Sequence, residues 1–432
     1  MAGETLTNID KILKDNYQDV VREQVSTFSP LQEYIDKATD VQWEGRAAIE
    51  AAIMSLNEGS GVSIGEGGSL PTAGNFDPQN FTIPMRYDYG QIQLTKQAID
   101  SAKTSKGAFK NVFKTSMETM VKNLKREQAR KLFGAGKGIL GLVNGDPSTG
   151  TTITVDAPGN VAGATGGARY IRKGMIVAFL NPSALTSTDS VRCVRTVSSV
   201  GADGTTFVID SAADASIADN DYIVRCPTTS ITTVGGTSYG IEPMGILGLV
   251  DDGTYLDTLM GLSRTTYPQL KSRVQSSVGS LSLDAIQTNF DVSEQLGDDQ
   301  IDVLVCEHAT RRAYLALLEA DRRYSGEDLM SPDGGTKAVN RKQWITFGGK
   351  PMVTDRNCPY GTLFGISKAD LRVYVQNEGE WDDTTGAILK QVSGQDTFYA
   401  FYRMWKNYHH SRPNNCFRMD GITTSSVYAA SY

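Results

Sequence analysis

The stretch Phe81-Thr-Ile-Pro-Met-Arg-Tyr-Asp-Tyr-Gly-Gln-Ile-Gln-Leu-Thr95 joins a glycine-rich arm to a long basic segment. In its first half, apolar residues alternate with polar ones, which is the period of a half-buried β-strand. After Gly90 the alternation changes parity, because Ile92 and Leu94 are the next apolar residues. A glycine at such a switch predicts a β-bulge, at which the strand bends.

The arm, which begins near Leu56, carries almost no helical pattern. Glycine weakens strands and proline removes a hydrogen-bond donor, so the arm is excluded from the middle of a sheet. We predict an extended two-stranded flap with a flexible tip. An isolated hairpin is only marginally stable in water, so this flap needs the surface of a neighbour. The glycines and prolines concerned are Gly59, Gly61, Gly65, Gly67, Gly68, Pro71, Pro78 and Pro84.

The segment that follows predicts one long amphipathic helix over residues 101–133. Between Lys103 and Lys131 it contains nine Lys or Arg against two Glu. This local excess of seven positive charges, in a chain of net charge −7, leaves −14 on the remainder. The basic side of the helix is therefore either solvated, or in contact with an acidic neighbour, or facing a polyanion.

Length and composition bound the class of protein. With 432 residues and 43 glycines, the chain accommodates two or three domains and favours strands and turns over an all-helical fold. The acidic balance argues against a dedicated nucleic-acid-binding protein. Its five cysteines are scattered, and no membrane span or signal peptide is evident. We expect a soluble protein with reduced thiols, made in a cytosol.

Residues 150–236 form a distinct module, rich in Thr, Ser, Gly and Val and poor in charge. Its short strand patterns are typical of a small antiparallel barrel or sandwich. The hexapeptide Gly-Ile-Leu-Gly-Leu-Val occurs at 138–143 and again at 245–250, and we interpret the pair as two similar strands at the neck of an insertion. The strand patterns of the module lie at 151–155, 175–180, 191–200, 205–210 and 221–226.

The remaining segments predict a helical N-terminus, an α+β lobe and two long strands. An amphipathic helix is predicted over 4–25. In the lobe, a strand at 301–306 precedes the second of two helices. A turn at 412–415 separates the final strands. The lobe helices are predicted over 281–295 and 309–320, and the final strands over 387–408 and 416–422.

No catalytic, cofactor-binding or metal-binding constellation emerges from the sequence. Gly136-Lys137 closes a helix and lacks the Ser or Thr that follows in a phosphate loop. His409 and His410 are adjacent on a predicted strand, so they point to opposite faces and do not share an ion. An acidic cluster is interpreted as a solvated hairpin tip rather than a cation site. The cluster comprises Glu378, Glu380, Asp382 and Asp383. We therefore expect that the protein is not an enzyme.

The order of these modules resembles the major capsid proteins of tailed bacteriophages, whose Hong Kong 97-type fold is also used by encapsulin shells. The resemblance covers nearly the whole chain. Its most specific part is Tyr87–Thr95 leading into Phe109–Gly136, which looks like the E-loop of the family returning into its spine helix. Residues 174–177 look like part of the barrel insertion that some members carry. The implied fold is α+β, with an N-arm, an E-loop, a P-domain with the spine helix, an A-domain and an inserted small β-barrel domain.

The resemblance also implies a division of the chain and two sets of candidate site residues. The division is an N-terminal arm 1–55, an E-loop 56–98, the spine helix and part of the P-domain 99–146, the inserted β-barrel domain 147–237, part of the P-domain and the A-domain 238–375, and the C-terminal P-domain strands 376–432. The expected inter-subunit residues of the E-loop are Glu66, Leu70, Phe76, Phe81, Arg86 and Tyr87. The basic residues expected on the inner face of the spine helix are Lys114, Lys122, Lys125, Arg126 and Arg130.

The implied function is that of a major head protein of a virion. Members of the family self-assemble in the host cytoplasm as hexamers and pentamers, which tile an icosahedral capsid around packaged double-stranded DNA. The implied partners are further copies of the chain, a separate scaffolding protein, a portal, a decoration protein and non-specifically bound DNA, with no membrane. The flap begins near residue 56, which leaves no room for a fused scaffold.

One departure from the family affects how the shell is held together. The best-known member cross-links its shell through a lysine on the E-loop, whereas this chain has no lysine between Lys37 and Lys96. We therefore expect a shell held by non-covalent contacts. Two alternative functions stay open. One is an encapsulin-type compartment shell around a cargo protein, and the other is a surface-layer or tail-tube protein with a carbohydrate-binding barrel.

Overall fold

The computed structural model describes residues 29–39, 41–62, 65, 67–68, 70–97, 106–186, 190–297, 300–319, 345–383 and 388–424. The helix predicted over 4–25 lies outside these ranges. The strands, in chain order, are β1 (Asp36–Lys37), β2 (Gln42–Glu44), β3 (Ala47–Ser55), β4 (Asp77–Pro84), β5 (Arg86–Thr95), β6 (Ile139–Val143), β7 (Thr152–Asp156), β8 (Ile176–Leu180), β9 (Val191–Val200), β10 (Thr206–Ile209), β11 (Tyr222–Arg225), β12 (Thr258–Leu259), β13 (Leu262–Ser263), β14 (Arg273–Gln275), β15 (Val303–Cys306), β16 (Ile345–Phe347), β17 (Lys350–Thr354), β18 (Leu363–Ile366), β19 (Leu371–Trp381), β20 (Lys390–Gln391), β21 (Thr397–His410) and β22 (Phe417–Met419). The described helices are α1 (Lys106–Lys131), α2 (Ile246–Leu249), α3 (Leu283–Leu296) and α4 (His308–Glu319).

The arm is built on an antiparallel pair of strands, β3 and β4, with β2 beside them. Ala47 lies opposite Pro84 at the base, and Ser55 lies opposite Asp77 at the outer end. The predicted flap is thus part of a three-stranded sheet rather than a two-stranded one, and its strand β3 lies before Leu56, where the flap was expected to begin. The described residues between these strands, 56–62, 65, 67–68 and 70–76, form the tip of the arm.

Strand β5 leaves the arm and pairs with β21 over its whole length. The register from Arg86 to Thr95 is continuous, so the β-bulge predicted at Gly90 is wrong. Buried positions are odd-numbered up to Met85 and even-numbered from Gly90 onward. The change therefore follows Met85, where the chain passes from the sheet of the arm to the sheet that contains β21. At Gly90 a Cβ would lie 2.8 Å from Cδ1 of Leu124, so glycine at this position lets the side chains of α1 pack closely on β5.

The inserted module is a closed six-stranded barrel with the strand order β10-β7-β6-β11-β8-β9. Its strands match the five predicted patterns, and Phe179 and Phe207 stack in its core with ring centroids 6.4 Å apart. The sixth strand is β6, which lies before residue 147, the expected start of the domain. A Thr-, Ser- and Gly-rich module with regular turn spacing therefore closes on itself, as its pattern predicts.

The repeated hexapeptide adopts two different structures. Its first copy is β6, as predicted, but its second copy forms the short helix α2, so the prediction of two similar strands is wrong. The cause is tertiary. A Cβ at Gly245 would clash with the carbonyl groups of Lys131 and Gly134, and Ile246 donates its N–H to the oxygen of Leu132 at 2.7 Å. The second copy is thus held against the end of α1.

The α+β lobe contains a six-stranded sheet with the order β14-β22-β18-β15-β17-β16 and the helices α3 and α4. The predicted lobe helices and the strand before the second helix are confirmed. The two final strands do not pair, because β21 lies in the sheet with β5 and β19, whereas β22 joins the lobe. Arg418 of β22 explains this, since it is fully buried and donates to carboxylates of Asp251 and Asp420. The expected C-terminal unit 376–432 therefore spans two sheets.

The base of the arm covers a buried histidine on β21. The ring of His409 lies 4.5 Å from that of Phe81 and 6.3 Å from that of Tyr374. Burial, together with His410, lowers the pKa of His409 to about 3. The carboxylate of Glu50 lies 3.8 Å from its Nε2. The imidazole is therefore neutral near pH 7.

Because an unfolded histidine takes up a proton near pH 6.5 and His409 does not, acid lowers the stability of the folded chain. Between pH 7 and pH 5, this one residue should reduce the free energy of unfolding by about 2 kcal/mol. Urea unfolding of His409→Phe should show a correspondingly smaller loss over that interval. An unchanged loss would contradict the assignment of a depressed pKa.

Candidate assembly site

The arm concentrates the exposed apolar surface of the chain. Among the described residues, seven of the eleven large exposed apolar side chains lie between residues 53 and 89. Val62 is 96% exposed and Leu70 is 84% exposed. Exposed apolar side chains that are concentrated in one segment of a chain indicate a contact surface. The seven are Ile53, Leu56, Val62, Leu70, Phe76, Tyr87 and Tyr89.

Two glycines close the neck of the tip. A Cβ at Gly59 would lie 2.6 Å from the backbone nitrogen of Gly74, and a Cβ at Gly74 would lie 2.6 Å from Oδ1 of Asn57. The same oxygen accepts the N–H of Gly59 at 2.8 Å. Any larger residue would separate the two sides of the arm. The segment between Gly59 and Gly74 therefore begins and ends at adjacent positions.

The base of the arm is held to the rest of the chain by specific hydrogen bonds. Glu50 of β3 accepts from the hydroxyls of Tyr374 and Ser411, each at 2.5 Å. Thr82 of β4 donates its N–H to the oxygen of Met260 at 2.8 Å. Phe81 is buried beneath these contacts. A fixed base with an exposed apolar tip is suited to holding a neighbouring molecule.

The last turns of α1 form an ion network with the barrel. The buried carboxylate of Glu127 contacts Arg130 at 3.1 Å and Arg225 of β11 at 3.3 Å, and it also accepts from Arg172. Arg130 binds Glu242 as well, at 2.5 Å. Burial opposes ionisation of Glu127, but the surrounding cations hold its pKa well below its usual range. This carboxylate thus fastens the long helix to the inserted barrel.

The six candidate residues of the arm fall into different environments. Leu70, Phe76 and Tyr87 are exposed, and Tyr87 also packs edge-on against Trp405 with ring centroids 5.2 Å apart. Arg86 is partly buried, which lowers its pKa. Phe81 has to be removed from the list, because it is fully buried in its own chain. Glu66 lies outside the described residues.

The basic side of α1 also divides into two parts. Lys125 is exposed, and Lys122 and Arg126 are partly exposed. Arg130 is buried and bound by two carboxylates, so it is not available on an inner face, contrary to expectation. Lys114 lies in α1, but its side chain is outside the described part of the chain. The C-terminal end of the basic stripe therefore acts within the subunit.

Sequence reasoning missed the carboxylates that neutralise these cations. Glu127 stands three residues before Arg130 in an otherwise basic helix, which was the one signal available for it. The acidic cluster gives a second case, because Asp382 is buried and paired with Lys390 and with Arg403, the latter at 2.8 Å. Its interpretation as part of a solvated tip is wrong. The partners of Asp382 come from β20 and β21 and are not evident from local composition.

Within the described ranges, no group of three or more His, Cys, Asp or Glu side chains is placed to hold a metal ion. His410 and Cys416 form a buried pair, with Nε2 and Sγ 3.2 Å apart. None of the helices that the structure describes is long and apolar enough to cross a membrane.

Comparison with solved structures identifies the class of fold. No family model and no curated protein matches the chain. The structure is similar to the capsid asymmetric unit of cyanophage A-1(L), with a TM-score of 0.53 and 10% identity over 96% of this chain and 98% of that one. The chain therefore has the fold of a phage capsid protein.

Two further solved structures resemble this one at lower scores. The holo-SrpI encapsulin complex from Synechococcus elongatus PCC 7942 has a TM-score of 0.45 and 8% identity, and all of both chains is covered. The capsid of a native GTA particle has a TM-score of 0.46 and 10% identity over 98% of this chain and all of that one.

We expect Glu127→Gln to destabilise the chain by about 3 kcal/mol, because it leaves buried arginines without their shared counterion. The matched control is Glu118→Gln, which removes the same charge from an exposed position on α1 and should cost less than about 1 kcal/mol. Chemical denaturation of both variants measures the difference. Equal stability losses would show that the Glu127 network does not hold the barrel to the helix.

Proposed function

We propose that this chain is the major capsid protein of a tailed phage, which assembles as hexamers and pentamers into an icosahedral shell around double-stranded DNA. The observation that carries the proposal is the arm, whose base is hydrogen-bonded to the body while the apolar side chains described at its tip, Leu56, Val62, Leu70 and Phe76, are exposed. The similarity of fold to a cyanophage capsid protein supports it.

In this proposal the arm is the E-loop and α1 is the spine helix. The sheet that contains β5, β19 and β21 belongs to the P-domain, and the six-stranded lobe is the A-domain. Burying one Leu or Phe side chain contributes about 1.5–3 kcal/mol. Burial of the exposed Leu70 and Phe76 against a neighbour would therefore contribute several kcal/mol to each contact between subunits. The shell requires no cross-link, in keeping with the absence of lysine from the arm.

The proposed partners follow from this role. Copies of the chain contact one another through the arm, and a separate scaffolding protein, a portal and a decoration protein act with them in the host cytoplasm and the virion. DNA would contact the exposed part of the basic helix, represented by Lys122 and Lys125. Contacts of that kind are electrostatic and independent of base sequence.

Because Gly59 and Gly74 are adjacent, the residues between them can be deleted without moving the two strands of the arm apart. Removing residues 60–73 joins two positions that already touch, so the lobes should fold with unchanged near-ultraviolet circular dichroism. Negative-stain electron microscopy should show closed particles for the wild type, co-expressed with its scaffold where required, and none for the deletion. Normal particles from the deletion variant would refute the role of the arm.

A point substitution tests the same surface more finely. Phe76→Asp places a charge on a side chain that is 56% exposed, so its effect on folding should stay within about 0.5 kcal/mol while assembly fails. Ile241→Asp, at a side chain that is 54% exposed and off the arm, is the matched control. Sedimentation separates particles from subunits. Equal assembly by both variants would contradict the proposal.

The contents and shape of the particles distinguish the other two functions. Nucleic acid extracted from purified particles supports a capsid. A co-purifying cargo protein in nucleic-acid-free particles would instead support an encapsulin-type compartment. Open sheets or tubes would support a surface-layer or tail-tube protein.

A further inference from the structure

Strand β5 forms one edge of the sheet that it shares with β21 and β19. Lys96, the first residue after the strand, donates its N–H to the oxygen of Asp396 at 2.9 Å, so these two residues are a hydrogen-bonded pair of the antiparallel ladder. Because the register from Arg86 to Thr95 is continuous, every even-numbered residue of β5 bonds to β21 in the same way. The alternate residues direct their N–H and C=O groups away from β21. Between Arg86 and Leu94 these are Tyr87, Tyr89, Gln91 and Gln93.

The outward backbone groups of these four residues are unpaired. Within the described part of the chain, they donate and accept no hydrogen bond. Tyr87 is 41% exposed and Tyr89 is 58% exposed, so water reaches this edge. A long edge strand with neither a proline nor a bulge is a template for pairing with another strand. We therefore expect a partner strand along the outer edge of β5.

The side chains of the same residues form an aromatic surface beside the edge. Gly90 faces α1, because a Cβ at this position would meet Leu124. Successive side chains of a strand point to opposite faces, so Tyr87 and Tyr89 lie on the face away from α1. There the ring of Tyr87 packs against Trp405, which lies opposite it on β21. An added strand would find backbone partners along the edge and aromatic rings beside it.

The arm contains a segment with complementary properties, residues 70–76. This segment leads directly into β4, and none of the backbone hydrogen bonds of the described chain involves it. Leu70 and Phe76 are separated by an even number of residues, so both side chains would lie on one face of an added strand. The segment contains no charged residue, so its pairing would bring no like charges together.

From these observations we infer that residues 70–76 of a second copy of the chain add as a strand to the outer edge of β5. The edge from Tyr87 to Gln93 and the segment from Leu70 to Phe76 have the same length, about 23 Å when extended. Main-chain hydrogen bonds provide the affinity in strand addition, and alternate side chains provide the specificity. The inference rests on the proposed assembly function, and it names the surface that the arm engages.

The geometry of the arm favours a second copy over the segment of the same chain. Eight residues of β4 separate the segment from Met85, which precedes β5. Pairing with β3 as far as Asp77 holds β4 extended over about 26 Å. The tip is therefore carried away from the β5 edge of its own subunit.

Hydrogen–deuterium exchange of wild-type particles and of dissociated subunits, read by mass spectrometry, tests the inference. Peptides that cover 86–95 and 70–76 should both exchange about tenfold or more slowly in particles, because both backbones gain hydrogen bonds. Within 86–95 the added protection should fall on the outward amides, since the even-numbered amides are already bonded to β21. Peptides of 86–95 that exchange equally fast in particles and subunits would overturn the inference and leave the proposed function standing.

A proline on the edge tests the hydrogen bonds themselves. Gln91→Pro removes one outward N–H, and proline is tolerated at such a position of an edge strand. We expect a folded subunit with unchanged near-ultraviolet circular dichroism and a yield of particles reduced about tenfold or more. The matched control, Gln91→Thr, keeps the N–H and should assemble like the wild type. Equal yields from the two variants would overturn the inference, and the exchange experiment decides it if Gln91→Pro does not fold.

Disulfide trapping in particles identifies the occupant of the edge. Residues opposite each other on paired strands are close enough for a disulfide bond. Tyr87→Cys should therefore link two copies when combined with Leu70→Cys or with Phe76→Cys, and the successful combination gives the direction of the added strand. The matched control combines Tyr87→Cys with Ile241→Cys, which is exposed and lies off the arm, and it should form no link.

The remaining outcomes separate this inference from the proposed function. A disulfide between two copies of the single variant Tyr87→Cys would overturn the inference by assigning the edge to a second β5. Protection of 86–95 without protection of 70–76 would overturn it by assigning the edge to a different partner. Failure of the wild-type chain to form any particle, with its scaffold present, would overturn the proposed function and this inference with it.

Discussion

The antiparallel pairing of β5 with β21 is the interaction on which the rest of the structure depends. It runs without a break from Arg86 to Thr95, and it places α1 on one face through the close approach at Gly90. On its N-terminal side, β5 is preceded by Met85 and then by β4, which belongs to the sheet of the arm. Because only Met85 separates β4 of the arm from β5 of the body, the core of the subunit determines where the arm begins.

The ion network around Glu127 connects α1 to the inserted barrel. Buried ionic groups are costly to desolvate, and the carboxylate of Glu127 is tolerated because three arginines surround it. These contacts therefore stabilise the relative positions of the helix and the barrel.

The parts of the fold that are encoded in local patterns were predictable. Period-two alternation and turn residues identified the barrel strands, and helical spacing identified α1, α3 and α4. The parts that depend on distant partners were not. The second copy of the hexapeptide became a helix because it lies against the end of α1, and β22 joined the lobe through the buried Arg418. Likewise, Arg130 and Asp382 were expected at the surface of the subunit. Each is instead buried and paired with an oppositely charged side chain, Arg130 with Glu242 and Asp382 with Arg403.

The proposed assembly depends on the arm holding a neighbouring subunit. A cryo-electron microscopy map of assembled particles tests this contact most directly, because it shows what the tip contacts. We expect Leu70 and Phe76 to be buried against the adjacent copy, while β5 keeps its pairing with β21. Particles in which both side chains remain exposed to solvent would contradict it.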